Sequence, residues 1–404
     1  MKQKLLPFLF LLIGVQTASA LEPYFTLSSD NSTMKFYYDN EREARGGESI
    51  FLISTSNQDE RGRKWKDQRE SVTMVVFDDS FAAYTSLTST AYWFSGFVNL
   101  TSIIGIEKLN TANVMYMSHM FERCSALASL DVSRFNTANV KNMEYMFDDC
   151  SALTSLDVSR FNTANVTNME YMFNSCRGLT SLDVSHFNTA KVTKMNGMFS
   201  TCQALTSLEV SHFNTANVTR MDGMFDLCNS LTSLDVSNFN TANVMFMGSM
   251  FSSCRGLTSL DVSNFNTAKV ISMSGMFMGC SGLTSLDVSN FNTANVTDMR
   301  YMFSSCSALK TIYCNDTWSC DDSSHMFSSC VSLKGAIAWS ESKTDVTYAN
   351  PDTGYFTKTS ETSVQTLNAV DGQQDAPIYN LSGQRLNAPQ KGINIIGGKK
   401  YVVK

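Results

Sequence analysis

Eight cysteines fall at positions 124, 150, 176, 202, 228, 254, 280 and 306, every gap being 26 residues. Near-identical wording surrounds each; one copy, Leu153 to Gly178, reads LTSLDVSRFNTANVTNMEYMFNSCRG. A period of this length argues against a globule with one central core. Each copy can bury its apolar face only against its neighbours, so the copies must stack into a solenoid. Weaker copies flank the clear ones. Val72-x-x-Val75-x-Phe77 and Leu100-x-x-Ile103 lie in front; Leu309-x-x-Ile312-x-Cys314 and Met326-Phe327-x-x-Cys330-x-x-Leu333 lie behind, where the spacing drops to 24. About ten units result, roughly Val72 to Leu333.

Two periodicities alternate within a unit. Leu156 and Val158 are two apart between Ser155, Asp157 and Ser159, which predicts a strand. Val166, Met169, Met172, Phe173 and Cys176 follow at spacings of 3, 3, 1 and 3, which predicts one face of a short helix. Thr167 and Glu170 fit a capping box at its start. Residues 21–71 carry possible strands at Met34–Tyr38 and Ser49–Ile53 and read as a cap on the first unit's open edge. The expected organisation is a leader over 1–20, the cap over 21–71, the solenoid over 72–335, its C-terminal cap over 336–357, a polar linker over 358–375 and a β segment over 376–404.

The leader is MKQKLLPFLFLLIGVQTASA: Lys2 and Lys4, an apolar stretch Leu5–Val15, then Ala18-Ser19-Ala20. This is the pattern of a signal peptide cut after Ala20. The apolar run is too short to span about 30 Å of hydrocarbon, and no other segment is long enough. Lys and Arg number 31 against 37 Asp and Glu, so the chain lacks the basic balance of a nucleic-acid binder.

The motif L-x-x-L-D-V-S-x-F-N-T-A-N-V-T-x-M-x-x-M-F-x-x-C resembles the BspA-like leucine-rich repeat surface proteins of bacteria, in their M-F-x-x-C branch. That resemblance implies an α/β right-handed solenoid, with parallel strands on a concave face and short helices on a convex face. It also implies a location outside the cell or on its outer surface, and adhesion to host extracellular proteins or other cells. Phe161 and its copies stand where ordinary leucine-rich repeats place a buried Asn; Asn162 is the substitute in view. The tail, APIYNLSGQRLNAPQKGINIIGGKKYVVK, resembles the sorting domains of type IX secretion cargo. A plain β cap is the alternative.

The cysteine column reads as small buried hydrophobes, since equivalent positions in stacked units do not converge as a disulfide requires. Cys314 and Cys320 leave the column, and they either close a small loop as a disulfide or stay free. No C-x-x-C or Cys/His cluster supports a metal, and no cofactor motif is present.

Asp131, Asp157, Asp183, Glu209, Asp235, Asp261 and Asp287 occupy one strand position in seven successive units. Strand alternation points them outward. In-register neighbours lie about 4.8 Å apart, so a like-charge row needs compensation. Raised pKa values, cations, serine hydrogen bonds or a basic partner each supply it. Ser155, Ser181 and Ser207 flank the row on one side, and Ser133 and its copies on the other. The row either solvates the sheet or forms a ligand-facing stripe. Arg134, Arg160, His186, His212, Asn238, Asn264 and Asn290 lose charge along the array, which either favours the C-terminal half for a cationic partner or records duplication history without function.

His119, His186, His212 and His325 form no triad signature, and no insertion interrupts the array, so no enzyme is expected. The basic cluster Arg61–Arg69, with Trp65, reads as a solvated loop. The expected function is display of a repetitive polar face to a protein or other cell-surface macromolecule, a basic one where the acidic row is the contact. The alternative is a spacer or surface-layer component without a specific ligand.

Overall fold

A computed structural model of the chain describes residues 20–45, 49–53 and 65–359, and the strands at 365–366, 378–380, 385–386, 392–396 and 399–403. The leader before Ala20 lies outside the described residues. Near the N-terminus, β1 (Glu22–Leu27) pairs antiparallel with β2 (Thr33–Asp39) and β3 (Ser49–Leu52). On its other side β2 pairs in parallel with β4 (Met74–Phe77), and β4 with β5 (Ser102–Ile104). The hairpin strand β2 thus occupies the edge that the first unit would otherwise present. Beneath it, Phe25, Phe36 and Trp93 gather around Trp65, which is only 2% exposed and whose Nε1 donates to the Trp93 carbonyl at 2.5 Å. Trp65 is therefore a core residue of the cap, not part of a solvated loop.

From there the chain advances in ten stacked units. Parallel bridges join Ser89, Tyr116, Asn142, Asn168, Lys194, Arg220, Phe246, Ser272, Asp298 and Asp322, each to the next. The ladder therefore sits at the corner just before each Met-x-x-Met-Phe segment. The Leu-Asp-Val segment keeps the expected alternation: Leu156 and Val158 are buried and Asp157 is exposed. It closes into strands only late, at β6 (Ser285–Asp287) and β7 (Thr311–Tyr313), which pair in parallel.

The expected short helices are absent; the described residues contain no α-helix. In their place each unit runs through three successive tight turns. In one unit the N–H groups of Met146, Asp148 and Cys150 donate to the carbonyls of Met143, Tyr145 and Phe147. The alternate N–H groups, of Met143, Tyr145, Phe147 and Asp149, reach across to Asn168, Glu170, Met172 and Asn174 of the next unit at 2.8–3.0 Å. Tyr145 and Asp149 adopt left-handed backbone, φ 54° and 51°, and so do their copies. Such a backbone satisfies half its donors in turns and half in its neighbour, whereas a helix would keep them all within itself. The capping box dissolves with the helix. Thr167 Oγ1 donates instead to the Lys141 carbonyl of the preceding unit, and the Glu170 N–H goes to Asn168 Oδ1.

Four internal ladders hold the stack. Ten phenylalanine rings, from Phe94 through Phe173 to Phe327, lie face over face with centroids 5.5–5.9 Å apart. Each column thiol donates to the phenylalanine carbonyl of the unit before; Cys150 Sγ reaches Phe121 O at 3.1 Å and Cys176 Sγ reaches Phe147 O at 3.1 Å. Thr111, Thr137, Thr163 and their copies to Thr267 are 1–2% exposed, and each donates to the Asn carbonyl of the next unit at 2.9–3.1 Å. Asn139, Asn165, Asn217 and Asn243 clip the carbonyl of an alanine one unit back at 2.8–2.9 Å. Asn162 is not the buried substitute; it is exposed, and its Oδ1 caps the Ala164 N–H in a local turn.

At the far end β8 (Phe356–Thr357) pairs with β7, and Trp318, Tyr355 and Phe356 close over Phe303 and Phe327. The tail forms its own five-stranded sheet from β9 (Gln365–Thr366), β10 (Ile378–Asn380), β11 (Arg385–Leu386), β12 (Gly392–Ile396) and β13 (Lys399–Val403), ordered β11-β10-β12-β13-β9.

Candidate functional site: an acidic row and its serines

All seven acids of the row are exposed. Each accepts the N–H of the serine two residues on: Asp131 from Ser133 at 2.9 Å, Asp157 from Ser159 at 3.0 Å, Asp183 from Ser185 at 2.9 Å and Glu209 from Ser211 at 2.8 Å. Asp235, Asp261 and Asp287 do the same with Ser237, Ser263 and Ser289 at 2.9–3.0 Å. The local reason is the turn that follows: the N–H of Phe161 closes onto Val158 O at 2.9 Å, and the Asp side chain caps the donor left inside that turn.

These hydrogen bonds settle the charge problem. Serine donors lower the carboxyl pKa values of Asp131, Asp157, Asp183, Glu209 and Asp235, and they outweigh the neighbouring acid, which pushes the other way at Asp131, Asp157 and Glu209. These five acids therefore stay ionised, and their compensation does not come from raised pKa values. Ser207, Glu209, Ser233, Asp235, Ser259 and Asp261 line an open groove of about 400 Å³ floored by Leu208, Leu234 and Leu260. Ser155 and Ser181 stand exposed at the equivalent places to its N-terminal side.

The column three residues on is partly structural. Asn238, Asn264 and Asn290 donate to the carbonyls of Ser211, Ser237 and Ser263 at 3.2, 2.9 and 2.7 Å. Loss of charge along the array thus accompanies a gain of clips between units.

Cys314 and Cys320 are both free, so the loop-closing disulfide does not form. Their thiols turn to separate carbonyls, Cys314 to Asp316 at 3.7 Å and Cys320 to Asp322 at 3.3 Å. The column thiols are buried, and burial pushes them up, Cys202 and Cys280 to about 12, which keeps them protonated and unreactive. Among the described residues no group of three or more His, Cys, Asp or Glu is placed to hold a metal ion, and no helix is long and apolar enough to cross a membrane.

Sequence reasoning missed the surface of the turn segment. Tyr92, His119, Tyr145 and Tyr171 stack at 4.3, 4.8 and 4.8 Å, and the row ends where Tyr171 lies flat on Gly197. The glycines at 197, 223 and 275 share that left-handed column and were the available signal against a helix. Beside this row Asp148 is 9% exposed and accepts from Asn174 Nδ2 at 2.6 Å; burial raises its pKa to about 6. Its ionisation therefore weakens the fold, and the penalty grows as pH rises through about 6 and is absent below the ordinary carboxyl value of 3.8. Asp148→Asn keeps the acceptor and loses the charge. Urea unfolding is expected to show it more stable than the parent by about 1–2 kcal/mol at pH 7.5 and equal near pH 3; equal stabilities at both values would refute the assignment.

Among solved structures the chain is similar to a leucine-rich cell surface protein from Faecalibacterium prausnitzii A2-165, at 17% identity over 72% of this chain and 92% of that one, with a TM-score of 0.29. It is also similar to a leucine-rich repeat protein from Eubacterium ventriosum ATCC 27560, at 15% identity over 73% and 83%, with a TM-score of 0.28. No curated protein matches it. The family described as "Mycoplasma protein of unknown function, DUF285" matches residues 88–182, 178–260 and 259–340, and these segments cover the stacked units described above. With more than half of its length matched in this way, the chain belongs to the DUF285 family.

Proposed function

We propose that this is an exported bacterial surface protein that binds a basic macromolecule along its acidic row. The observation that carries the reading is the row itself: seven exposed carboxylates, one per unit, each accepting a serine N–H. A ligand with repeated Lys or Arg side chains would meet the same chemistry at every step, and many weak contacts then add as avidity. The groove at Glu209, Asp235 and Asp261 is the preferred segment, since no Arg stands in the adjoining column there. Export rests on the leader Met1–Ala20 and on the resemblance of the tail to type IX sorting domains; mass spectrometry of the mature ends checks both.

A spacer reading is favoured by one observation, the use of every acid in a local turn. Asparagine separates the two readings because its Oδ1 can still accept the serine N–H. The variant Glu209→Gln, Asp235→Asn, Asp261→Asn is expected to fold normally and to lose about tenfold or more in affinity for a decalysine peptide, with binding weakened by salt in the parent. Unchanged affinity, or binding indifferent to salt, would leave the row with its structural role alone.

A further inference from the structure

A second surface lies at the parallel bridges, and its charges are arranged about a centre. The bridge column reads Lys194, Arg220, Phe246, Ser272, Asp298, Asp322: two cations, two neutral residues, two anions. Reversed end for end, the column presents each cation to an anion. The column two residues on repeats the relation with opposite sign, Asp222 in the Arg220 unit and Arg300 in the Asp298 unit. Both pairs are formed side chains at the surface. Arg220 meets Asp222 at 3.0 Å and Arg300 meets Asp298 at 3.0 Å, with the two arginines 43% and 48% exposed.

The centre is apolar. In this column Thr167, Thr193, Thr219 and Thr297 bond the previous unit's backbone through their hydroxyls, the two units before Thr167 carry Met115 and Lys141, and the two units midway between Lys194 and Asp322 carry Met245 and Ile271, 37% and 40% exposed. Phe246 beside them lies under the Arg220 guanidinium, 5.0 Å from ring centroid to carbon. Nothing in the stacking explains the exchange, because the backbone ladder continues unchanged through Met245 and Ile271, each N–H bonding the unit before at 2.9–3.0 Å. Exposed Met245 and Ile271, with half-buried Phe246 beside them, inside a charged rim have the composition of an interface core.

We propose that this surface docks on a second copy of the chain. The two copies run antiparallel, with a two-fold axis lying in the contact plane and crossing the array between the Phe246 and Ser272 units. That operation lays Met245 against Ile271 of the other copy, Arg220 against Asp298, Asp222 against Arg300 and Lys194 against Asp322. Each contact occurs twice, as an isologous interface requires. A parallel pairing with the bridge columns face to face would set Lys194, Arg220, Asp298 and Asp322 each against its own copy and is disfavoured. The inference is independent of the acidic row and its ligand.

Sedimentation equilibrium of the full mature chain tests it. The expected result is a reversible dimer that weakens as salt is raised. Arg220→Asp is expected to weaken dimerisation by about tenfold or more, and Met245→Lys to do likewise. Arg220→Asp combined with Asp298→Arg is expected to restore it. That pair of changes sets acid beside Asp222 and base beside Arg300 within one copy, so only pairing between copies can produce the rescue. Circular dichroism confirms that each variant is folded. A parent chain that stays monomeric up to about 100 µM, or a dimer that survives Arg220→Asp, or a double variant no better than the single, overturns the proposal.

Discussion

Phe199→Ala is expected to destabilise the array by about 3–5 kcal/mol, the range for removing a large buried aromatic side chain. Phe199 is fully buried, with Phe173 and Phe225 each 5.9 Å from it in the central ladder. The alanine leaves a void that close neighbours cannot fill, because Cys202 is tied to the Phe173 carbonyl and the flanking rings are held by the next rings of the same ladder. In a linear array the damage concentrates at one junction, since each unit contacts only its neighbours. Urea unfolding should show the loss. Limited proteolysis should cut first near residues 195–205, giving two large fragments, while Phe199→Leu should cost much less. A variant cleaved at random, or as stable as the parent, would contradict the spine role of this column.

Thr215→Val is expected to cost about 1–3 kcal/mol although it changes neither shape nor volume appreciably. The Thr215 hydroxyl is 1% exposed and joins two units by a reciprocal pair: it donates to Asn240 O at 3.1 Å and accepts from Asn240 N at 2.7 Å. Valine strands both backbone groups, and they have no other partner at that junction. Thr215→Ser restores the oxygen and should recover most of the loss. Denaturation of the three proteins side by side reads the result; a valine variant equal to the parent would show that the threonine row is filler.

Much of this architecture was legible beforehand, for a physical reason. The period of 26 and the drop to 24 before the last unit are both present in the bridge ladder, because a stacked unit cannot gain or lose residues without breaking register. Leu153, Leu156, Val158, Phe161, Val166, Met169, Met172, Phe173 and Cys176 are all buried, as their spacing required. What spacing did not settle was backbone type. Apolar residues at intervals of 3, 3, 1 and 3 point inward from a helix and equally from consecutive turns of three residues. Only the left-handed column holding Gly197, Gly223 and Gly275 separates them. The buried polar ladder was misplaced by one residue, from Asn162 to Thr163, because a threonine looks equally apt in a solvated loop. For the acidic row, the sequence placed the side chains outward. The Asp-x-Ser turn that keeps them ionised depended on a backbone geometry that alternation alone does not reveal.

The central claim is that neighbouring 26-residue units lie in register at a fixed step. Spin labels on the exposed serine column test it most directly, with Cys320→Ser to remove the one column-free thiol that is partly exposed. Cysteines at Ser129 and Ser285 lie six units apart, so the backbone separation should be about 29 Å, in a narrow distribution, and should shorten by about 4.8 Å each time the second label moves one unit closer, to Ser259 and then Ser233. A broad distribution, or distances that do not step with the number of intervening units, would contradict the stacked array.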